Sequence, residues 1–178
     1  LKYPCFNSDG TKIAVAAIDG TELTGYPGNR VYEIWIMDYD PVTQTVSNFQ
    51  QVTTTGNFGD PGGDVVWNNM CSWSLTDPDL LMFLEVHFSN PNIIKTYSVS
   101  GNSFATLYDP SLDSNGDDVT NPGFYGTNNG MCVFGSGYNT GNDRILLFDG
   151  TYPSTRISPD DKNLDPSSSY DGTRVTYY

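Results

Sequence analysis

Apolar residues come along this chain in short runs that alternate with polar ones, and turn residues punctuate the runs at close intervals. An extended segment at Tyr3–Phe6 runs into a turn at Ser8-Asp9-Gly10. The strand after it sets Ile13, Val15 and Ala17 on one face. Beyond the polar stretch 19–30, the run Val31–Asp38 sends Val31, Glu33, Trp35 and Met37 one way and Tyr32, Ile34, Ile36 and Asp38 the other. Its centre is apolar on both sides, which predicts a strand covered on both faces. A turn through Asp40-Pro41 leads to a fourth strand near 48–56. No window keeps apolar residues at helical spacing without a Gly or Pro, so strands and almost no helix are expected.

The same order of events recurs. A second unit has strands at 64–74, 80–88, 93–100 and 103–109, with turns at Thr76-Asp77-Pro78-Asp79, Ser89–Asn92 and Gly101-Asn102. A third opens at Asn121-Pro122, turns at Thr127-Asn128-Asn129-Gly130, and continues through 131–137, 143–150 and 153–158. There Asp149 stands for Asp38, and 153–158 takes the role of 49–55. A last unit supplies two strands only, and it echoes the opening. Pro166 stands for Pro4, Asp171-Gly172-Thr173 for Asp9-Gly10-Thr11, and Arg174-Val175 for Lys12-Ile13. The expected units are 1–60, 61–116, 117–160 and the incomplete 161–178.

Four short antiparallel strands per unit, repeated, define an all-β chain of β-propeller blades. One four-stranded sheet cannot bury both faces alone, and stacking blades side by side buries each between two others. The phrases Pro4-x-Phe6-x-Ser8-Asp9-Gly10-Thr11, Glu33–Asp38 and Gln51-Val52-Thr53 resemble the TolB-like (WD40-like) propeller repeat. That repeat also occurs in the propellers of tricorn-type and prolyl-oligopeptidase-type peptidases. The resemblance extends to 166–175, is partial at 144–159, and weakens at Leu75-Thr76-Asp77-Pro78. It implies a fold and carries no catalytic residue over, because the motif is structural. About three and a half blades are present, whereas rings close with typically about 4–8. A fragment of a longer propeller is the favoured expectation, beside an open or four-bladed variant and a ring completed by another chain. The edge at 173–178 would invite self-association or pairing with the rest of a larger propeller.

Composition narrows the partners. Net charge is −13 over 178 residues, with eight Lys and Arg in total, and the isoelectric point is about 4.1. Nucleic acid is excluded as a partner by the want of a basic face, and an anionic membrane surface is disfavoured for the same reason. No apolar run is long enough to span a bilayer, so no direct membrane insertion is expected. Few Lys, many Tyr, Asn, Gly and Ser suggest an exported protein: extracellular, at the cell surface or periplasmic. Three cysteines, Cys5, Cys71 and Cys132, exclude a fully paired intrachain framework. They read as buried small hydrophobes, with a Cys5–Cys71 disulfide as the sharper alternative.

Chemistry-bearing motifs are sparse. The single histidine, His87, lies two residues beyond Glu85 on one strand face, and no G-x-S-x-G elbow exists to supply a nucleophile. Most Asp residues fall in turns. The loop 113–121 sets Asp113, Asn115 and Asp117 at alternate positions, with Asp118 beside them, and resembles the first half of an EF-hand or dockerin calcium loop. It departs from that pattern at Asp118, where Gly is usual, and at Phe124, where a bidentate Glu is expected. Calcium is therefore the one cofactor to test, against an Asx-rich turn between blades. Tyr26, Phe58, His87 and Tyr138 fall on the connections that share one propeller face, and aromatics beside Asn and Asp suit a protein or carbohydrate ligand. Together these features favour a non-catalytic binding module. The alternatives are the propeller part of a larger secreted hydrolase of serine-peptidase type, and a structural subunit assembling through its edge strand.

Overall fold

The computed structural model describes residues 1–22, 30–54, 65–87, 90–115, 117–137, 143–158 and 165–177. Strands β1 (Lys2–Phe6), β2 (Lys12–Glu22), β3 (Arg30–Asp40) and β4 (Thr45–Gln51) pair antiparallel in chain order. So do β5 (Val65–Trp73), β6 (Leu80–His87), β7 (Ile93–Ser98) and β8 (Ser103–Tyr108). A third sheet holds β9 (Val119–Tyr125), β10 (Asn128–Ser136), β11 (Arg144–Phe148) and β12 (Thr155–Arg156), and a two-stranded piece pairs β13 (Ser167–Ser168) with β14 (Val175–Thr176). Among the described residues the helical content is one 3-10 turn at Pro110–Leu112. The first strands of successive sheets lie side by side, β1 against β5, β5 against β9 and β9 against β13. This is the blade arrangement of a β-propeller, with first strands inside and fourth strands outside.

Packing explains the doubly apolar runs. Leu81, Phe83 and Tyr97 of the second blade pack with Ala14, Ala16, Ile34 and Ile36 of the first. Its Met82, Leu84 and Ile94 face the other way, onto Val119, Phe124, Phe134, Leu146 and Phe148 of the third. Strand β6 therefore buries successive side chains against opposite neighbours. Outer strands β4 and β8 are mostly exposed, as the rim of a propeller must be.

The echo between the two ends of the chain holds at the level of single hydrogen bonds. In the first hairpin, Gly10 N donates to Asn7 O (3.1 Å) and Asn7 N to Lys12 O (3.0 Å), while Asp9 Oδ1 accepts from Thr11 N and Oγ1 (3.0 and 2.6 Å). In the last, Gly172 N donates to Ser169 O (3.0 Å), Ser169 N to Arg174 O (2.9 Å), and Asp171 Oδ1 accepts from Thr173 N and Oγ1 (3.0 and 2.8 Å). Gly10 and Gly172 take the left-handed backbone that the turn requires, at φ 71° and 67°.

The fourth-strand correspondence holds too. Val52 N donates to Ile34 O, and Thr53 Oγ1 accepts from Ile34 N. In the third blade Ile157 N donates to Ile145 O, and Ser158 Oγ accepts from Ile145 N. A hydroxyl after the outer strand thus closes the blade in both places.

Several strand boundaries differ from expectation, two of them with a clear cause. The fourth strand of the first blade begins at Thr45 rather than near 48, because Asp40 already ties the turn through Val42 N and Thr43 N. The hairpin of the third blade turns at Gly126-Thr127, not at 127–130, and Asn128–Gly130 belong to β10. Gly126 has φ 57°, and a Cβ there would meet the Cα and N of Gly172 at 2.7 Å. The blades touch backbone to backbone at this point. Gly126→Ala is expected to cost about 1–3 kcal/mol, from a left-handed alanine plus the clash, read as a lowered midpoint in urea unfolding.

Candidate functional site

Antiparallel order puts one set of strand ends together: where β2, β6 and β10 end, where β3, β7 and β11 begin, and where each sheet hands over to the next. Two polar clusters sit at this end, in the seam between the first and second blades. The first is built on Glu33 of β3, which is fully buried. Its Oε2 accepts hydrogen bonds from Thr53 Oγ1 and from Asn68 Nδ2 (3.0 Å for the latter). Thr53 is the hydroxyl that closes the first blade, and Asn68 lies on inner strand β5 of the second. One carboxylate therefore joins strand closure to the inter-blade seam.

The second cluster lies on β6 and β7. Glu85 Oε1 pairs with His87 Nε2 at 3.1 Å, and Glu85 Oε2 with Lys95 Nζ at 2.7 Å. All three side chains are partly buried. Glu85 is the cross-strand partner of Asn68, which links the two clusters through β5. Asn92 Oδ1 accepts from His87 N, and its Nδ2 donates to Val119 O, which ties the cluster to the third blade.

Burial pushes the Glu85 carboxyl up, but the bonds from His87 and Lys95 outweigh it and hold the group below its ordinary 4.5. Asp113 follows the same pattern, with burial opposed by bonds from Ser154, Asn115 and Tyr108. A carboxylate depressed in the folded state contributes stability above its unfolded value and loses it as pH falls through the folded value. Melting temperature is therefore expected to fall below about pH 4, with Glu85→Gln flattening the acid limb.

The acidic loop is turned inward. Asp113 is buried; its Oδ1 accepts from Asn115 N (2.8 Å), and its Oδ2 from Tyr108 Oη (2.8 Å) and Ser154 N (2.9 Å). Asn115 Nδ2 donates to Ser154 O (2.8 Å), and Asp117 Oδ1 accepts from Asp118 N (2.8 Å). Asp113 thus clasps the second blade to the third. Among the described residues no three His, Cys, Asp or Glu side chains gather as a metal ion would need. Asp113 Oδ2 thus takes two protein donors and Oδ1 one. Asp113→Ala is expected to cost about 1–3 kcal/mol, and thermal melts with calcium and with chelator should superimpose; a chelator-induced drop would support the calcium reading instead.

Of Tyr26, Phe58, His87 and Tyr138, His87 lies at this end, in the Glu85 cluster. Tyr26, Phe58 and Tyr138 lie outside the described residues. Glu33, Thr53, Asn68 and Lys95 were not singled out. The signal for Glu33 was available: it is a carboxylate inside the apolar run 31–37.

No protein-family profile matches the chain, and no curated protein does. Solved structures do, and they place the blades in a class, the β-propeller. Within that class the fold is TolB-like. TolB from Acinetobacter baumannii superimposes with a TM-score of 0.63 at 18% identity, over 98% of this chain and 36% of its own. The putative TolB from Agrobacterium tumefaciens gives 0.71 at 14% identity, over 99% and 53%. A puromycin-hydrolysing peptidase of Mycobacterium tuberculosis gives 0.60 at 14% identity, over 98% and 28%. The chain thus spans about a third to a half of the length of the TolB structures it matches.

Proposed function

We propose that this chain is a non-catalytic protein-binding part of an exported β-propeller, receiving its partner at the blade end that carries the Glu33–Asn68 and Glu85–His87–Lys95 clusters. The observation that carries this reading is the second cluster: charged, partly buried groups held on rigid strands at the end where connections leave. Such placement suits recognition, since the scaffold is ordered before the partner arrives. The likeness to TolB structures supports it at the level of fold. The likeness to the mycobacterial peptidase favours a second reading, a propeller part of a larger secreted hydrolase. Peptide and glycan arrays probed with wild type and with Lys95→Ala separate the possibilities. Peptides captured by the wild type and lost with Lys95→Ala are the expected result. Capture of glycans alone, or capture indifferent to Lys95, contradicts it. Hydrolysis of chromogenic peptides by this chain would favour the enzyme.

A further inference from the structure

The cysteines of the inner strands have a use that neither packing nor the proposed binding reading requires. Cys5 on β1 and Cys71 on β5 are free thiols whose sulfurs stand 3.7 Å apart across the seam between the first and second blades. Each thiol also reaches the opposite backbone: Cys5 Sγ donates to Cys71 O (3.3 Å), and Cys71 Sγ to Tyr3 O (3.2 Å). Trp73 Nε1 donates to Cys5 O (3.2 Å) and holds the same two strands together. Cys132, by contrast, is fully buried in the apolar core between the second and third blades.

The backbone that carries the pair is irregular in a way that favours approach. Tyr3 and Met70 both take left-handed conformations, at φ 53° and 52°, and the ladders slip in register between Lys2 and Cys5 and between Asn69 and Ser72. Each inner strand thus bulges just before its cysteine, and a bulge re-aims the side chain that follows it. A disulfide needs sulfurs about 2.05 Å apart, so the pair must close by roughly 1.7 Å, within reach of side-chain rotation and small strand shifts.

We propose that Cys5 and Cys71 are a redox clasp: two thiols that close to a disulfide between the first and second blades under oxidising conditions and reopen under reducing ones. With a small-molecule disulfide such as oxidised glutathione as oxidant, the partly buried Cys5 attacks first as its thiolate. It forms a mixed disulfide and expels one thiol, which carries away the Cys5 proton. Cys71 then gives up its proton, attacks Cys5 Sγ and expels the second thiol. Two protein thiols lose two electrons in all, and one oxidant disulfide becomes two thiols. Hydrogen bonding to Cys5 and burial keep the Cys71 thiol protonated, so the more exposed Cys5 is the one to react first. In an oxidising compartment the clasp rests closed.

The test uses the whole chain equilibrated with oxidised glutathione or with dithiothreitol, then unfolded and alkylated. The expected result after oxidation is one free thiol, at Cys132, and a peptide cross-linked between Cys5 and Cys71. The 66-residue separation makes the closed loop long, so the oxidised form should melt on the order of 10 °C higher than the reduced form. Cys71→Ala should take up glutathione at Cys5 and show no such rise, and Cys132→Ser should keep it. Three free thiols after oxidation, a bridge involving Cys132, or a Cys5–Cys71 bridge without a rise in melting temperature each overturn the proposal. The labelling result stands on the wild type alone, should either variant fail to fold.

Discussion

Replacing Glu33 with alanine is expected to lower stability by about 3–5 kcal/mol, seen as a fall of roughly 6–20 °C in melting temperature. The carboxylate is fully buried and accepts from both Thr53 and Asn68. Removing it strands two buried donors and opens a cavity in the same place. Each stranded donor costs about 1–3 kcal/mol, since neither regains the water it gave up on folding. Thr53 also holds Ile34 N at 2.8 Å, so loosening it frays the outer strand as well. Glu33→Gln keeps an acceptor oxygen and should lose less. A loss below about 1 kcal/mol for the alanine variant would show that Glu33 does not join the first blade to the second.

Tyr108→Ala is expected to cost about 3–5 kcal/mol at the other seam. The ring is fully buried, 4.4 Å from Phe134 and 5.2 Å from Phe148 between centroids. Its hydroxyl donates to Asp113, and burial together with that carboxylate keeps the phenol protonated. Truncation therefore removes apolar packing between the second and third blades and also strips Asp113 of a donor. Tyr108→Phe isolates the second effect and should cost about 1–2 kcal/mol. Equal losses for the two variants, measured by urea unfolding, would mean that the ring contributes nothing.

Much of this fold is legible in the chain because the blade repeat is written in residues that do local work. Asp9 and Asp171 cap hairpins with the same bonds, and Thr53 and Ser158 close outer strands with the same hydroxyl. The doubly apolar run of β6 follows from its place between two other blades. What could not be read is the repeated bulge of the inner strands. Tyr3, Met70, Asn121 and Asp165 all adopt left-handed backbone at matching positions, at φ 47–53°. Asn and Asp before proline hint at it, but Tyr and Met do not, because side chains of their kind disfavour that conformation. The acidic loop is hard to read for a related reason. Spacing along a chain cannot tell a carboxylate that faces out to a cation from one that faces in, and Asp113 faces in, to Tyr108 and Ser154.

The site was only half legible. His87 and Glu85 stand two apart on one strand and were visible as a pair. Lys95 and Asn68 come from neighbouring strands, and Glu33 from a neighbouring blade, so their meeting depends on register and blade stacking rather than on local sequence. The cysteines illustrate the same point from the other side. They fall 66 residues apart in the chain, and the repeat places them at adjacent inner strands.

The most direct test of the binding function is hydrogen–deuterium exchange of the folded chain with and without an array-derived peptide. Protection is expected on the strand ends 30–34, 85–87 and 93–95, which carry Glu33, Glu85, His87 and Lys95. Protection confined to the opposite hairpins, 7–12 and 169–174, or no protection with any captured peptide, would contradict it.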